Sequence, residues 1–432
     1  MGSFSTPLSG LTAAQDQLQS VSNNLANIDT DGYKDQTLTF SDIFSQTGAT
    51  NGSGDPLQAG YGVSVSSTDS NFTEGSLNAT GTPSNMALSG NGFFVTQSAS
   101  GLPDYTRAGD FTTNSAGQIT TPDGELLLGY PAVDGVVNAS AALQPLQVGS
   151  ATSPAVASTT MGITANLDSS GAAASSSLAV YDSLGSAHVL TVSYTAGATP
   201  GTWSYNVTMP SADLTGATGT STSVGSGTLN FSNSGVLIST QATGAAATSA
   251  PSAGIALTIP PTGMTFADGA GAMTGTTATA PFNWSLVDGS GNPTITQTAT
   301  ASATSATSTN GFASGTLSTY TVKTDGTIEG TFTSGNTLAL GQVAVASFAN
   351  VQGLVSTGNN NYQPTAASGT AVIGVAGTGG RGTVVGGSVE ESNVDIATEF
   401  AKLIVAQQAY SANAKSVTTF NQVSQATIAM LQ

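Results

Sequence analysis

The stretch TPLSGLTAAQDQLQSVSNNLANIDTDG, Thr6 to Gly32, decides the first element of the fold. Leu11, Leu18 and Leu25 alternate with Ala14, Val21 and Ile28 at 3–4 spacing, the pattern of a helix that buries one stripe against another helix. Thr6 can cap it and Pro7 suits its first position. Asp29-Thr30-Asp31-Gly32 closes it with turn formers and a glycine that tolerates positive φ.

The far end of the chain repeats the design. Ser392, with Asp395 three residues on, reads as a capping box. After it, Ile396, Phe400, Leu403, Tyr410, Ala414, Val417, Ile428 and Leu431 keep one seam, interrupted by Gln407, Asn421 and Ser424. Ile404, Val405, Phe420 and Val423 form a second apolar flank, which a single partner helix would not cover. Two arrangements fit. In one, the terminal helices close one domain as an intramolecular hairpin; in the other they also pack between subunits, where association covers the wider apolar surface.

The 432 residues exceed what one hydrophobic core usually organises, so two or three domains are expected. Charged residues are only 7% and glycines number 53, a composition that favours short strands joined by turns. Six Lys plus Arg against 24 Asp plus Glu give a formal charge of −18, which argues against nucleic-acid partners and anionic membranes. The lack of Cys excludes disulfides, thiolate metal sites and Cys nucleophiles. The first cation is Lys34, and no apolar run approaches the roughly 18 residues of a membrane span. Neither a cleaved signal peptide nor membrane insertion is therefore expected.

Ser9 to Lys34, ending SNNLANIDTDGYK, resembles the amino-terminal signature of the flagellar rod and hook protein family, and Asn23 and Asn24 fall within it. Gly387 to Gln422, with its SNVD and AYSANAK words, resembles the carboxy-terminal signature of the same family. GNGFFVT (Gly90–Thr96) and the segment Tyr105–Pro131 resemble the β-domain that family shares, with Phe93, Phe94, Tyr105 and Phe111 as core and with turns at Ser115-Ala116-Gly117 and Asp123-Gly124. VYDSLGSAHVLTVSY (Val180–Tyr194) and WSYNVTM (Trp203–Met209) resemble the outer-domain segment of the hook branch, which the shorter rod proteins lack. In both, alternate residues share a face: His188, Leu190, Val192 and Tyr194 in one, Trp203, Tyr205, Val207 and Met209 in the other.

The resemblance implies an α+β, mainly β fold of nested discontinuous domains, with paired terminal coiled-coil helices and outer domains like β-sandwiches or barrels. The domains implied are 1–70 with 388–432 (helical polymerisation domain and hinge segment), 71–150 with 336–387 (inner β-domain) and 151–335 (outer β-domain). Hinge glycines are expected at Gly48, Gly52 and Gly54 in the outgoing linker and at Gly377, Gly379 and Gly380 in the returning one. The implied role is a tube-forming structural subunit that bends while transmitting torque. Its partners would be further copies of itself, rod proteins, hook cap and hook–filament junction proteins, and the flagellar export apparatus. It would reach the extracellular hook without a cleaved signal. The alternatives are a distal rod subunit and a secreted carbohydrate-binding β-protein.

No catalytic constellation or cofactor site is expected. His188 is the only histidine and reads as structural within its strand. Gly377-Thr378-Gly379-Gly380-Arg381-Gly382 fits a dinucleotide fingerprint only as spacing, because Thr383-Val384-Val385 follows instead of a helix. Asp288 to Asn292 reads as a turn, lacking the downstream glutamate of a calcium loop. Arg107 is expected to pair with an acid at a domain surface. Residues 303–316, rich in Ser, Thr and Ala, read as a stretch between strands.

Overall fold

The structure, a computed structural model, describes residues 5–50, 56–149, 151–244, 251–275 and 281–430. It divides into two compact units: Met1–Ala151 with Thr319–Gly330 and Leu338–Gln432, and Thr152–Ser318 with Thr331–Thr337. The terminal helices and inner strands, expected as separate domains, thus share one unit, and residues 319–330 join it as well.

In the first unit, helix α1 (Ser5–Ala26) packs against helix α2 (Ile396–Met430). Pro7, Ala14 and Val21 are buried on α1 at heptad spacing, while Leu11, Leu18 and Leu25 are half-buried beside them. After α1, Gly32 turns the chain with φ +69°, and a Cβ there would lie 2.5 Å from the Ala108 nitrogen. Both the backbone sign and the close approach require glycine. At the other helix the cap differs from expectation. Asp395 itself accepts from the Ala397 and Thr398 amides at 2.8 and 3.1 Å, so it is the N-cap and Ser392 lies outside the helix.

The segment expected as a hinge is an antiparallel hairpin, β1 (Gln36–Thr50) with β2 (Pro56–Ser70), running from the Gln36–Ser70 pair with three register shifts. Alternating Leu, Phe, Ile, Tyr and Val supply strand-forming residues that the glycine-rich composition of the segment obscured. Gly48 lies in β1, whereas Gly52 and Gly54 fall outside the described residues. An isolated two-stranded hairpin is marginal in water, and here it leans on α1. Ser9 Oγ accepts from the Val63 amide at 3.2 Å, and Ser20 Oγ donates to the Gln36 carbonyl at 3.0 Å.

The inner strands surround an aromatic core. Phe93–Gln97 pairs with Pro103–Thr106, Leu126–Val133 and Thr337–Ser347. Phe93 meets Phe72, Phe348 and Tyr362 edge-on at 5.6–5.8 Å, and Phe94 meets Phe111 at 5.2 Å. The expected core residues Phe93, Phe94, Tyr105 and Phe111 are all buried. The returning glycines do not form an open linker. Gly377, Gly379 and Gly380 adopt positive φ in a tight turn between Val372–Val375 and Thr383–Gly386, closed by Gly377 N–H to Gly382 O at 2.8 Å. Arg381 stitches that turn through Nε to the Val375 carbonyl and Nη2 to Thr378 Oγ1. The strand that follows leaves no helix N-terminus for a pyrophosphate.

The second unit holds a five-stranded antiparallel meander, Ala174–Tyr181, Ala187–Ala196, Thr202–Pro210, Ser221–Phe231 and Leu237–Ala242. A second sheet centres on Thr160–Asp168, which pairs parallel with Phe282–Ser285 and Ile295–Thr298 and antiparallel with Ala303–Thr309. Their inner faces share one core containing Tyr194, Trp203, Tyr205 and Trp284. His188, Leu190, Val192 and Tyr194 are buried together, as are Trp203, Tyr205, Val207 and Met209, so the two alternating sets line the same core. Ala303–Thr309, expected as a linker, is an edge strand whose side chains are almost all exposed.

What joins the ends of the first unit is a buried carboxylate. Glu390, on the short strand Ser388–Glu390, is fully buried; its Oε1 lies 2.5 Å from Lys34 Nζ and its Oε2 3.3 Å from Arg107 Nη1. Oε1 also accepts from the Gly75 amide at 2.9 Å, and the Glu390 carbonyl accepts from the Gly32 amide at 2.6 Å. Arg107 therefore sits in the interior and not at a surface, 5.5 Å from the Phe93 ring centre, with Nη2 on the Gly90 carbonyl at 2.7 Å. Burial pushes Lys34 down from its ordinary value, and Glu390 counteracts that. Replacing Glu390 by Gln would leave two buried cations without their anion. Glu390→Gln is expected to lower unfolding free energy by about 3–5 kcal/mol, read from urea denaturation of the full chain.

Candidate assembly surface

The two helices are held in antiparallel register by polar contacts at one end and a close approach at the other. Asn24 Nδ2 meets Glu399 Oε2 at 3.2 Å, and fourteen residues away along each helix a Cβ on Gly10 would lie 3.0 Å from the Asn413 amide. Glycine at that point makes room for the Asn413 side chain between the helices.

Asn24 uses every donor and acceptor it has. Its Oδ1 accepts from the Gln36 amide at 2.9 Å and the Tyr33 hydroxyl at 3.0 Å; its Nδ2 donates to the Gln36 carbonyl at 2.9 Å and to Glu399. One side chain thereby fixes the end of α1, the start of β1 and the first turn of α2. Asn23, largely exposed, adds a bond from its Nδ2 to the Tyr33 oxygen at 3.2 Å. Glu399 Oε1 takes Lys402 Nζ at 2.6 Å, so this carboxylate is satisfied from both helices. Burial, followed by the nearby Asp35 and Glu399 charges, pushes the Tyr33 phenol up to about 12.

The stripe of α2 that faces α1 holds only part of the expected seam, Leu403, Ala414 and Val417. Glu399 and Ala406 are buried, and Leu403, Asn413, Ala414 and Val417 are half-buried. Ile396, Phe400, Gln407, Tyr410 and Ile428 are exposed, Phe400 by 48%; Leu431 lies outside the described residues. Small and polar residues admit α1, and this rotates the large apolar side chains outward. Ile404 and Val405, the expected second flank, are 56% and 62% exposed. Ile28, after α1, is half-buried.

Beyond the level of Ser5 the register leaves the last turns of α2 without α1 alongside them. Val423, Ile428 and Met430 are exposed there, Met430 by 81%. The hairpin presents further apolar side chains, Phe40, Tyr61 and Val65, each more than a third exposed. Among the described residues no helix is long and apolar enough to cross a membrane. This surface can bind apolar protein surface.

Two other positions singled out by sequence lie in a turn and in a strand. Asp288 Oδ1 accepts from the Ser290 and Asn292 amides, both at 2.9 Å, which makes an Asx turn. His188 is buried in the second unit with one aspartate at each ring nitrogen, Asp182 and Asp213.

Four family models match successive parts of the chain: flagella basal body rod protein over residues 4–34, flagellar hook protein FlgE/F/G D1 domain over 87–164, flagellar basal body protein FlaE D2 domain over 148–312, and flagellar basal body rod FlgEFG protein C-terminal over 385–430. The flagellar hook protein FlgE of Salmonella typhimurium is 31% identical over 438 residues, covering 98% of each chain. That of Escherichia coli is 32% identical over 437 residues, and that of Borreliella burgdorferi 31% over 453. Among solved structures, Helicobacter pylori flagellar hook protein FlgE2 aligns at 14% identity and a TM-score of 0.46, over 71% of this chain and 98% of that one. With near-complete coverage at this identity, and with the terminal and domain models in the order the chain runs, the protein belongs to the flagellar hook protein family.

Proposed function

We propose that the chain is the structural subunit of the flagellar hook and polymerises through the outward apolar face of α2 into a bendable tube that carries torque from rod to filament. The observation that carries the polymerising step is the exposure of Phe400, Ile404, Val405, Val423 and Ile428 on a helix whose other side already packs on α1. Such a surface is a liability on a monomer and is covered by further copies in a polymer. The outer unit, matched by the D2 domain model over residues 148–312, favours a hook subunit over a distal rod subunit. Its partners in this reading are rod proteins at one end, hook cap and hook–filament junction proteins at the other, and the export apparatus that delivers the chain without cleaving a signal. Bending draws on sliding between outer units.

Two measurements probe this. A Val405→Asp, Val423→Asp double variant should form no tubes by electron microscopy or sedimentation at concentrations where the parent chain polymerises. Its thermal unfolding as a monomer should stay within about 0.5 kcal/mol of the parent, because both sites are exposed. Tubes of normal abundance would sink the assembly reading. Asn24→Ala, by contrast, should destabilise the helix pair by about 2–3 kcal/mol and raise amide hydrogen exchange along α1, because it leaves buried partners unmet.

A further inference from the structure

In the second unit, the tight turn after Ala174–Tyr181 and the strand Ala187–Ala196 bring Asp182 and His188 together, and the loop after Thr265–Phe266 adds Asp268. One ligand-type atom from each of these three side chains lies within 4.8 Å of the other two. We propose that Asp182, His188 and Asp268 form a binding site for a divalent transition ion, zinc in the first instance, that pins the Phe266–Asp268 loop to the meander.

The His188–Asp182 separation suits shared coordination. His188 Nε2 and Asp182 Oδ2 are 3.1 Å apart. Two atoms each about 2.1 Å from one zinc ion stand about 3.0–3.4 Å apart at bond angles near 90–110°. Zinc would take the Nε2 lone pair, and the proton on that nitrogen would leave to solvent. One imidazole and two carboxylates are a donor set that zinc accepts, and the exposed side of Asp268 leaves room for a solvent ligand.

The surroundings already orient those ligands. The other ring nitrogen, His188 Nδ1, lies 3.0 Å from Asp213 Oδ2, the carboxylate-to-imidazole bond that sets the tautomer of a metal-bound histidine. Asp182 Oδ1 accepts from the Leu184 and Ser186 amides, both at 2.9 Å, which aims Oδ2 at the ring. Phe266 stacks on the imidazole at 4.4 Å and fixes its plane. Asp268 Oδ1 accepts from the Ala270 amide at 3.0 Å, which orients the third carboxylate.

The test is calorimetric titration of chelator-treated full chain with zinc chloride, alongside thermal unfolding and the visible spectrum with cobalt(II). The expected result is one zinc per chain, a raised Tm in excess zinc, and cobalt absorption of a low-coordinate site. Asp268→Asn, at an exposed position, should fold normally yet lose roughly ten-fold or more in zinc affinity, while Asp213→Asn should weaken binding by roughly 10–100-fold. Zinc uptake unchanged in Asp268→Asn, or no stoichiometric uptake by the parent chain, overturns the proposal and leaves His188 as a buried ion pair.

Discussion

The first unit depends on the carboxylate of Glu390. Residues 34, 75, 107 and 390 come from distant parts of the chain, and two cations and one amide converge on this single side chain. Taking Lys34 and Arg107 out of water costs several kcal/mol per ion, and only their shared anion and the carbonyls around them offset it. The cluster is therefore a poor source of net stability but a strict condition on geometry. The outgoing chain after α1 must meet the returning chain before α2 at this point, or buried charges are left unmatched. That condition sets where α2 begins, and Asn24 then sets its register against α1.

Once the register is set, the distribution of surface follows. α1 meets α2 along Glu399, Ala406 and Asn413, a stripe of polar and small residues that gives close approach and specific hydrogen bonds. The bulkier Phe400, Ile404, Val405 and Val423 are left outside. An intramolecular helix pair that used the large side chains would be more stable as a monomer and would have nothing left for a neighbour. Stability within the chain rests here on hydrogen bonds and ion pairs, and in the proposed polymer the apolar area left outside is what association covers.

Much of this was legible in the sequence, and the parts that were not share a cause. Period-2 alternation located Ala187–Ala196 and Thr202–Pro210 because one face of each is buried and the other polar. Period-3.6 spacing located both helices. It could not tell that the bulky residues of both apolar flanks on α2 point away from α1, because the facing stripe is decided by Asn24 and Gly10, hundreds of residues away. Ala303–Thr309 was missed because an exposed edge strand of Ser, Thr and Ala carries no apolar alternation. The hairpin of β1 and β2 was masked by the glycines near its tip. Neither the Glu390 cluster nor the grouping of Asp213 and Asp268 about His188 has any local signal; single charged residues acquire such roles only when the topology brings them together.

Most of the sparse cations are placed on partners within the chain. Of the six, Lys34 and Arg107 lie on Glu390, Lys402 on Glu399 and Lys323 on Glu329, while Arg381 binds the glycine turn. From Leu403 to Met430 the chain carries one charged residue, Lys415. Copies bearing a formal charge of −18 repel one another, but at about 0.1 M salt that repulsion is screened beyond about 10 Å. What remains is decided at contact distance, where a charge on either partner would have to be desolvated. A helix face almost free of charge avoids that cost, so the acidic charge elsewhere can keep the subunit soluble without opposing the contact that α2 offers.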